Sequence, residues 1–356
     1  MLTGKIKFFL IGTILLFACV QAESQRKISS NFLEGRDEKL ATTYTTQNKI
    51  RGVSFVAPSK AVDSTWTVNL KQVNVGWVAL IPYAFSKLGA ANVNYEPNRQ
   101  YWGESIAGVR TNIKQAHSAG LKVMLKPQVW MSGSWIGDFD LTTDEEWKIW
   151  EADYKKYLMY FVKVAAEENA EMICIGTEYR NAVKKRPDFW FALIKDIRTQ
   201  YKGQLTYCAN WDDYEQVAFW KELDFVSMSG YFPLSEAQNP TIAELQKSWK
   251  PIKDKLKKYS SKMGKPILFT EYGYRSMEQP AWRSWEKENQ PVVTNHDGQA
   301  NAYEALYKTV WQENWFAGGF AWKWYSSFRR MDPTNNNDWT PQNKKAQEVM
   351  KAYYGK

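Results

Sequence analysis

The chain has 356 residues, of which 44% are hydrophobic and 24% are charged, and its formal net charge is +9 at pH 7. This composition is typical of a globular protein with a full core and excludes broad disorder. Only two histidines occur, which excludes sites built on several histidine ligands, and the sequence has no P-loop, Rossmann or nucleophile-elbow motif. Tryptophan is abundant at 18 residues, and a surface that stacks on flat ligands is one use for such a number.

The N-terminus has the features of an export signal. Two lysines precede the apolar run 8–20, which is too short to span a bilayer comfortably. Residues 1–22 are therefore predicted to be a signal peptide, or a lipoprotein signal that ends before a lipidated Cys19. The polar segment 23–48 is predicted to be a flexible tether to a single folded domain, 49–356. We expect an exported protein that is secreted or held as a periplasmic or cell-surface lipoprotein.

From residue 50 onward, short apolar runs alternate with longer amphipathic segments. Eight runs have the near-continuous apolar character of buried parallel strands: 52–56, 75–81, 121–127, 172–177, 205–209, 224–229, 266–271 and 318–323. Helical patterns lie between them at 104–118, 145–168, 188–200, 242–260 and 299–314. Gly120, Gly203 and Gly264 each follow a helix and precede a strand, where a left-handed helix cap is expected. This order predicts an α/β fold, a (β/α)8 TIM barrel in one domain, with an open doubly wound sheet as the alternative.

Two glutamates stand at the ends of predicted strands, where the active sites of such barrels lie. Glu178 ends the fourth strand and Glu271 ends the seventh, on nearly opposite sides of the ring, so both can reach one cleft. Strict alternation places each on the same face as the residues two and four positions before it. Two carboxyls that face each other across a sugar are the machinery of glycoside hydrolysis, one as an acid and one ionised. The alternative is that they form structural salt bridges with Arg180 and Arg275.

Other side chains at the strand ends are candidates for binding a sugar. Lys126 shares a predicted face with Met124 and Gln128, so it should point into the cleft and either bind a hydroxyl or pair with a catalytic carboxylate. Asn210 is a candidate hydroxyl ligand. The aromatic residues that could stack on sugar rings at or just after strand ends are Trp130, Trp135, Trp211, Trp322 and Trp324. This chemistry requires no metal and no organic cofactor.

Five segments carry a family resemblance: Gly52–Phe55, Val123–Pro127, Gly176–Glu178, Phe269–Tyr274 and Thr340–Ala346. They resemble glycoside hydrolase family 113 of clan A, whose known activity is endo-β-1,4-mannanase, and the resemblance spans about 50 to 356. It implies that Glu178 is the acid/base and Glu271 the nucleophile. It also implies that Tyr231 hydrogen-bonds the nucleophile and that Trp322 forms the floor of the −1 sugar site. The chain departs from the pattern at Thr177, where clan A enzymes commonly carry an Asn that holds the sugar 2-hydroxyl.

The resemblance implies a retaining glycoside hydrolase that cleaves β-1,4-mannosidic bonds in mannan-type polysaccharide or oligosaccharide by double displacement. We also expect the protein to be a monomer. Two alternatives stay open: a retaining hydrolase of another β-linked glycan such as a β-glucan, and a glycan-binding barrel without catalysis. The residues also leave endo and exo action open. The positive charge does not indicate a nucleic-acid partner, because lysines cluster on predicted helix faces such as 253–258.

Overall fold

The computed structural model describes residues 43–356, apart from 97–98, 288–289 and 328–334. The predicted signal peptide, Cys19 and most of the predicted tether lie outside the described residues and stay predictions. Residues Thr43–Lys356 form one structural unit. Within the described part of the chain, no helix combines the length and the apolar character needed to cross a bilayer.

The described residues contain ten strands: β1 (Ile50–Phe55), β2 (Trp77–Leu80), β3 (Tyr83–Ser86), β4 (Lys122–Leu125), β5 (Gln128–Met131), β6 (Met172–Thr177), β7 (Gln204–Ala209), β8 (Val226–Ser229), β9 (Ile267–Tyr272) and β10 (Phe316–Trp324). Eight of them close into a parallel barrel in the order β1–β10–β9–β8–β7–β6–β4–β2. These eight correspond to the eight predicted apolar runs. The TIM-barrel prediction is therefore confirmed, and the open-sheet alternative is wrong.

Strands β3 and β5 pair with each other in a separate two-stranded sheet that the sequence analysis missed. They follow β2 and β4 almost directly, and the residues Pro82 and Pro127 stand at the two breaks. A proline lacks the N–H that a strand interior donates to its neighbour, so each run stops and resumes as a new strand. The pair extends the wall of the barrel above β2 and β4.

The α-helices in the described residues are α1 (Thr65–Gln72), α2 (Ile106–Ser118), α3 (Asp144–Glu167), α4 (Arg180–Lys185), α5 (Pro187–Gln200), α6 (Ile242–Met263), α7 (His296–Lys308) and α8 (Lys345–Tyr354). Capping boxes at Thr143 and Thr241 start the two longest helices, α3 and α6. The sequence analysis predicted α2, α3, α5, α6 and α7. It missed α1, α4 and α8, whose ten residues or fewer give a weak periodic signal.

Two of the three predicted glycine caps are left-handed. Gly120 has a φ of 73° and Gly264 a φ of 64°, and each leads from a helix into a barrel strand. The prediction was wrong for Gly203, because α5 ends at Gln200 and the chain leaves it through Tyr201 in an extended conformation, with φ −127° and ψ 128°. A helix that is left through an extended residue needs no left-handed cap.

Apolar side chains form two clusters. An inner cluster fills the barrel with strand residues such as Met124, Cys174 and Leu268. A larger outer cluster packs the strands against the helices. Seven of the tryptophans are fully buried: Trp66, Trp150, Trp190, Trp220, Trp249, Trp311 and Trp324. The abundance of tryptophan thus reflects the core at least as much as any surface for stacking on ligands.

Candidate active site

Glu178 is aimed into the cleft by an irregularity in β6. Cys174 belongs to the inner cluster, but a Cβ atom on Gly176 would lie 2.9 Å from the ring of Trp190, on the helix side. The pairing of β6 with β7 shifts register between Cys174 and Thr177, which reverses the alternation. The prediction that Glu178 and Gly176 share a face was therefore wrong. Glu178 itself follows with a φ of 56°, a sparsely populated conformation for a residue with a side chain.

Glu271 reaches the same end of the barrel by a similar irregularity in β9. Leu268 lies in the inner cluster, whereas Phe269 packs outward, with its ring 6.3 Å from that of Trp249 on α6. Strict alternation would turn Glu271 outward with Phe269, contrary to its observed contacts. The pairing with β8 skips a residue at this point, so that Ser229 lies beside Glu271. Bulges of this kind change the face of the sheet on which the following side chain lies, and one precedes each glutamate.

The carboxylate of Glu271 is surrounded by donors. Lys126 forms an ion pair with Oε1, Gln128 Nε2 donates a hydrogen bond to Oε1 at 2.8 Å, and Tyr231 Oη donates to Oε2 at 3.1 Å. Lys126 is fully buried, so its ammonium group serves the carboxylate rather than an exposed hydroxyl. Burial by itself lowers the pKa of Lys126, but the charge of Glu271 outweighs it and the pKa is raised. One cation and two hydrogen-bond donors suit an ionised carboxylate.

The environment of Glu178 is different. It is partly exposed, and its Oε2 accepts a hydrogen bond of 2.6 Å from the indole Nε1 of Trp135. Burial of the carboxyl, followed by the negative charge of Glu271, raises the pKa of Glu178 from 4.5 to about 7, although hydrogen bonds from Ser229 and Trp135 oppose the rise. Glu178 can therefore hold a proton near neutral pH, whereas Glu271 has a cation beside it, and such a contrast is the division of roles that an acid and a nucleophile need.

The structural alternative, in which the two glutamates form salt bridges with Arg180 and Arg275, does not match the contacts in the site. Arg180 Nε pairs with Asp213 at 2.9 Å, and Asp213 is itself 5% exposed. Arg275 donates hydrogen bonds to the backbone and side-chain oxygens of Asn337 at 3.2 and 3.1 Å. The cation beside Glu271 is a lysine, and the donors to Glu178 are the indole of Trp135 and the hydroxyl of Ser229.

The structure distributes the predicted sugar-binding residues around this end of the barrel. Trp130 is 58% exposed, and its ring meets that of Tyr83 edge-on at 6.3 Å. Asn210 and Trp211 are half-buried just after β7. Trp322 is half-buried and packs against the inner cluster. Tyr231 and Lys126 contact Glu271 directly, as described above.

The prediction that Trp324 stacks on a sugar was wrong, because the position of this residue excludes such a contact. It is only 2% exposed and belongs to the outer cluster. In the pairing of β10 with β1, Ser54 lies opposite Trp322 and Phe55 lies opposite Trp324, so Lys323 is skipped. Two residues that simple alternation would place on one face therefore separate into the inner and outer sides of the barrel.

The site also contains residues that the sequence analysis missed. A pocket next to Tyr231 is lined by Trp282, Trp285 and Trp339, all from loops without a periodic signal. The hydrogen bond from Trp135 to Glu178 was also missed, although Trp135 was noted as an aromatic residue near a strand end. Among the residues described, no group of three or more His, Cys, Asp or Glu side chains is placed to hold a metal ion.

Comparisons with known proteins identify the family of the chain and support its fold. The family model described as Glycoside Hydrolase Family 113 matches residues 55–344. A GH113 beta-mannanase from Alicyclobacillus acidocaldarius, solved in complex with ManMIm, is 25% identical with a TM-score of 0.76, over 86% of this chain and 97% of that chain. A structure of a GH113 beta-1,4-mannanase is 25% identical with a TM-score of 0.75, over 86% and 99% of the two chains. A search of curated proteins found no match.

Proposed function

Because the chain belongs to glycoside hydrolase family 113 and is thus a glycoside hydrolase, we propose that it cleaves β-1,4-mannosidic bonds in mannan-type glycans with retention of configuration. The different environments of Glu178 and Glu271 support this proposal most directly. One carboxyl has its pKa raised to about 7, and the other carries a buried cation and two hydrogen-bond donors. The β-mannanase activity of the similar structures supports the choice of linkage.

In the first step, the ionised Glu271 attacks the anomeric carbon while Glu178 gives its proton to the departing glycosidic oxygen. A covalent glycosyl–enzyme ester forms, and the aglycone leaves as an alcohol. Gln128 and Tyr231 hold the two oxygens of Glu271 in place, and Lys126 balances its charge until the new bond consumes it. A retaining mechanism of this kind requires carboxyl groups about 5–5.5 Å apart.

In the second step, Glu178 acts as a base. It has lost its proton, and the charge of Glu271 that raised its pKa is gone, because that carboxylate is now an ester. Glu178 takes a proton from water, the water attacks the anomeric carbon from the face that the aglycone left, and Glu271 departs as a carboxylate. Two inversions at one carbon give net retention.

The products test the substrate class. We expect the protein to release short manno-oligosaccharides from β-mannan and glucomannan and to leave cellulose and xylan intact. The anomeric configuration of the first product, followed by proton NMR, should be β. Cleavage of β-glucan alone would change the assigned substrate from mannan to β-glucan. Thr177 would then be the first residue to test, because it occupies the position of the usual 2-hydroxyl ligand. An α product would refute retention.

Two variants test the catalytic roles. Glu178→Ala and Glu271→Ala should each lower kcat on mannan by several orders of magnitude. Glu178→Ala should change the melting temperature little, whereas Glu271→Ala should lower it, because the buried Lys126 loses its partner. Glu236→Ala, which removes an exposed glutamate from the loop between β8 and α6, is the matched control and should leave kcat unchanged. Near-normal turnover in either active-site variant would overturn the mechanism. Binding of mannan without turnover by the wild type would favour a non-catalytic glycan-binding barrel.

We further propose that the enzyme acts outside the cytoplasm as a monomer, either secreted or anchored through a lipid on Cys19. This proposal depends on the signal-like residues 1–22 and not on the barrel. Mass spectrometry of the mature N-terminus distinguishes its two forms. A diacylglyceryl cysteine at position 19 would establish the lipoprotein, and an N-terminus at residue 23 would establish the released form.

A further inference from the structure

The hydrogen bond from Trp135 to Glu178 belongs to a larger arrangement outside the barrel strands. Trp135 lies in the loop after β5, at the start of the short 3-10 helix Ile136–Asp138. Its indole Nε1 is 2.6 Å from Oε2 of Glu178. One oxygen of the carboxyl therefore has a donor from the protein. Ser229 also donates to this carboxyl, and the catalytic proton is carried by one of its two oxygens.

The indole is held from behind by a cation. The guanidinium carbon of Arg180 lies 4.6 Å from the centroid of the Trp135 ring. Arg180 is fixed in turn by ion pairs with Asp212 and with Asp213, the second at 2.9 Å. Asp213 is 5% exposed and accepts a further hydrogen bond of 2.9 Å from the backbone N of Asn210. A planar guanidinium locked by two carboxylates forms a rigid plate against which an indole can stack.

The indole ring of Trp135 fills the space beside Gly137 in the same loop. A Cβ atom on Gly137 would lie 2.2 Å from the Cη2 atom of Trp135, far inside contact distance. Any side chain at Gly137 must displace the ring, and with it the indole N–H. Three separate features therefore fix the position of Nε1 of Trp135. They are its hydrogen bond to Glu178, the contact of the ring with Arg180 and the absence of a side chain at Gly137.

We propose that Trp135 and Arg180 are positioning residues for the acid/base. The indole N–H of Trp135 fixes the orientation of Glu178 so that its proton faces the glycosidic bond, and Arg180 holds the indole in place. This inference rests on the proposed role of Glu178. Arg180 acts through the ring and not as a charge on the carboxyl, because its own charge is balanced by Asp212 and Asp213.

The indole also stabilises the ionised form of Glu178, so its loss changes the pH dependence in a known direction. The other groups that act on this carboxyl are Glu271 from β9, Lys126 from the end of β4 and Ser229 from β8, and Tyr231 and Cys208 feel its charge. None of these changes when Trp135 is replaced. Without the indole donor the proton binds Glu178 more tightly, and the general acid stays protonated to higher pH.

The test is Trp135→Phe, which keeps an aromatic ring under Arg180 and removes the N–H. We expect kcat/KM on mannan to fall roughly tenfold and the basic limb of its pH profile to move to higher pH. The matched control is Trp315→Phe, which removes another indole–carboxylate hydrogen bond, Trp315 Nε1 to Glu313 at 3.0 Å, at the opposite end of the barrel. The control should leave both the rate and the profile unchanged.

Two further variants test the support of the ring. Gly137→Ala keeps the indole N–H but displaces it, and we expect the same shift of the basic limb as in Trp135→Phe. Gly76→Ala is its control, because a Cβ there meets nothing closer than 3.8 Å. Arg180→Lys keeps the charge between the aspartates and loses the planar stack, so it should shift the limb in the same direction by a smaller amount.

The outcomes separate this inference from the function on which it rests. Glu178→Ala should hydrolyse a 2,4-dinitrophenyl mannoside slowly, and azide should restore its turnover. The dinitrophenolate leaves in the first step without help from an acid, and azide attacks in the second step without help from a base. If Glu178→Ala is rescued while Trp135→Phe and Gly137→Ala keep the wild-type pH profile, the positioning role is wrong and the function stands. If Glu178→Ala has normal rates on mannan, the proposed function itself fails.

Discussion

Removal of the ammonium group of Lys126 would test what the buried ion pair with Glu271 contributes to stability and to turnover. In Lys126→Met the buried stem is retained, but the cation that pairs with Glu271 Oε1 is lost. Gln128 and Tyr231 still donate to the carboxylate. The carboxylate is then a buried anion without a counter-ion, which is costly in the interior of a protein.

The expected size follows from the contact. Two unit charges about 4 Å apart at an effective dielectric constant of about 20 attract each other by about 4 kcal/mol. Breaking a buried pair by removing one partner costs about 3–5 kcal/mol of folding stability, because the remaining charge is left buried and unpaired. The nucleophile also loses a charged hydrogen-bond donor worth about 1.5–3 kcal/mol, so we expect kcat/KM on mannan to fall about tenfold to a hundredfold.

The assay is kcat/KM on mannan, together with the free energy of unfolding in urea. In Lys126→Met both should fall. Lys49→Met is the matched control. Lys49 is also buried, at 4% exposure, but its ammonium group donates to the backbone oxygens of Glu313 and Phe316 at the far end of the barrel. The control should lose stability and keep the wild-type kcat/KM.

An unchanged kcat/KM in Lys126→Met would refute this reasoning. If the stability falls while kcat/KM is unchanged, the lysine is a structural partner and the two hydrogen-bond donors suffice to hold Glu271. If Lys49→Met lowers kcat/KM as well, the loss reports general loosening of the barrel and not the missing charge.

Three further predictions concern the acid, the surface and the core. The folded state binds the Glu178 proton more tightly than the unfolded chain does, so wild-type stability falls as pH rises from 4.5 to about 7. Glu178→Gln should therefore be more stable than the wild type at pH 8, by up to about 3 kcal/mol, and equal to it at pH 4 in chemical denaturation. Trp130→Ala, at a 58% exposed ring, should raise KM on mannan about threefold to tenfold with unchanged kcat and melting temperature, as measured by steady-state kinetics. Tyr354→Phe removes the hydroxyl that donates to the Gly52 carbonyl at 2.9 Å and should cost about 1–2 kcal/mol in urea unfolding, whereas Tyr353→Phe should be neutral.

Much of the fold could be predicted because it depends on local patterns. The eight barrel strands are continuous apolar runs, and the longer helices repeat their apolar residues at helical spacing. Both can therefore be predicted from the sequence without tertiary information. Glu178 and Glu271 stood out because a charged residue at the end of such a run is costly unless it has a partner or a role. The short elements α1, α4, α8, β3 and β5 carried too few residues for a periodic signal.

The sequence by itself determined the eight strands of the barrel, their order around it and which two carboxyls end at its C-terminal edge. The tertiary structure alone decided where those side chains point. Bulges before Glu178 and Glu271 reverse the alternation on which the prediction rested, and a skipped residue sends Trp324 into the core while Trp322 stays on the inner side. Register irregularities and contacts such as that between Trp135 and Glu178 join segments far apart in the chain. They depend on how neighbouring strands and loops pack, which no local pattern encodes.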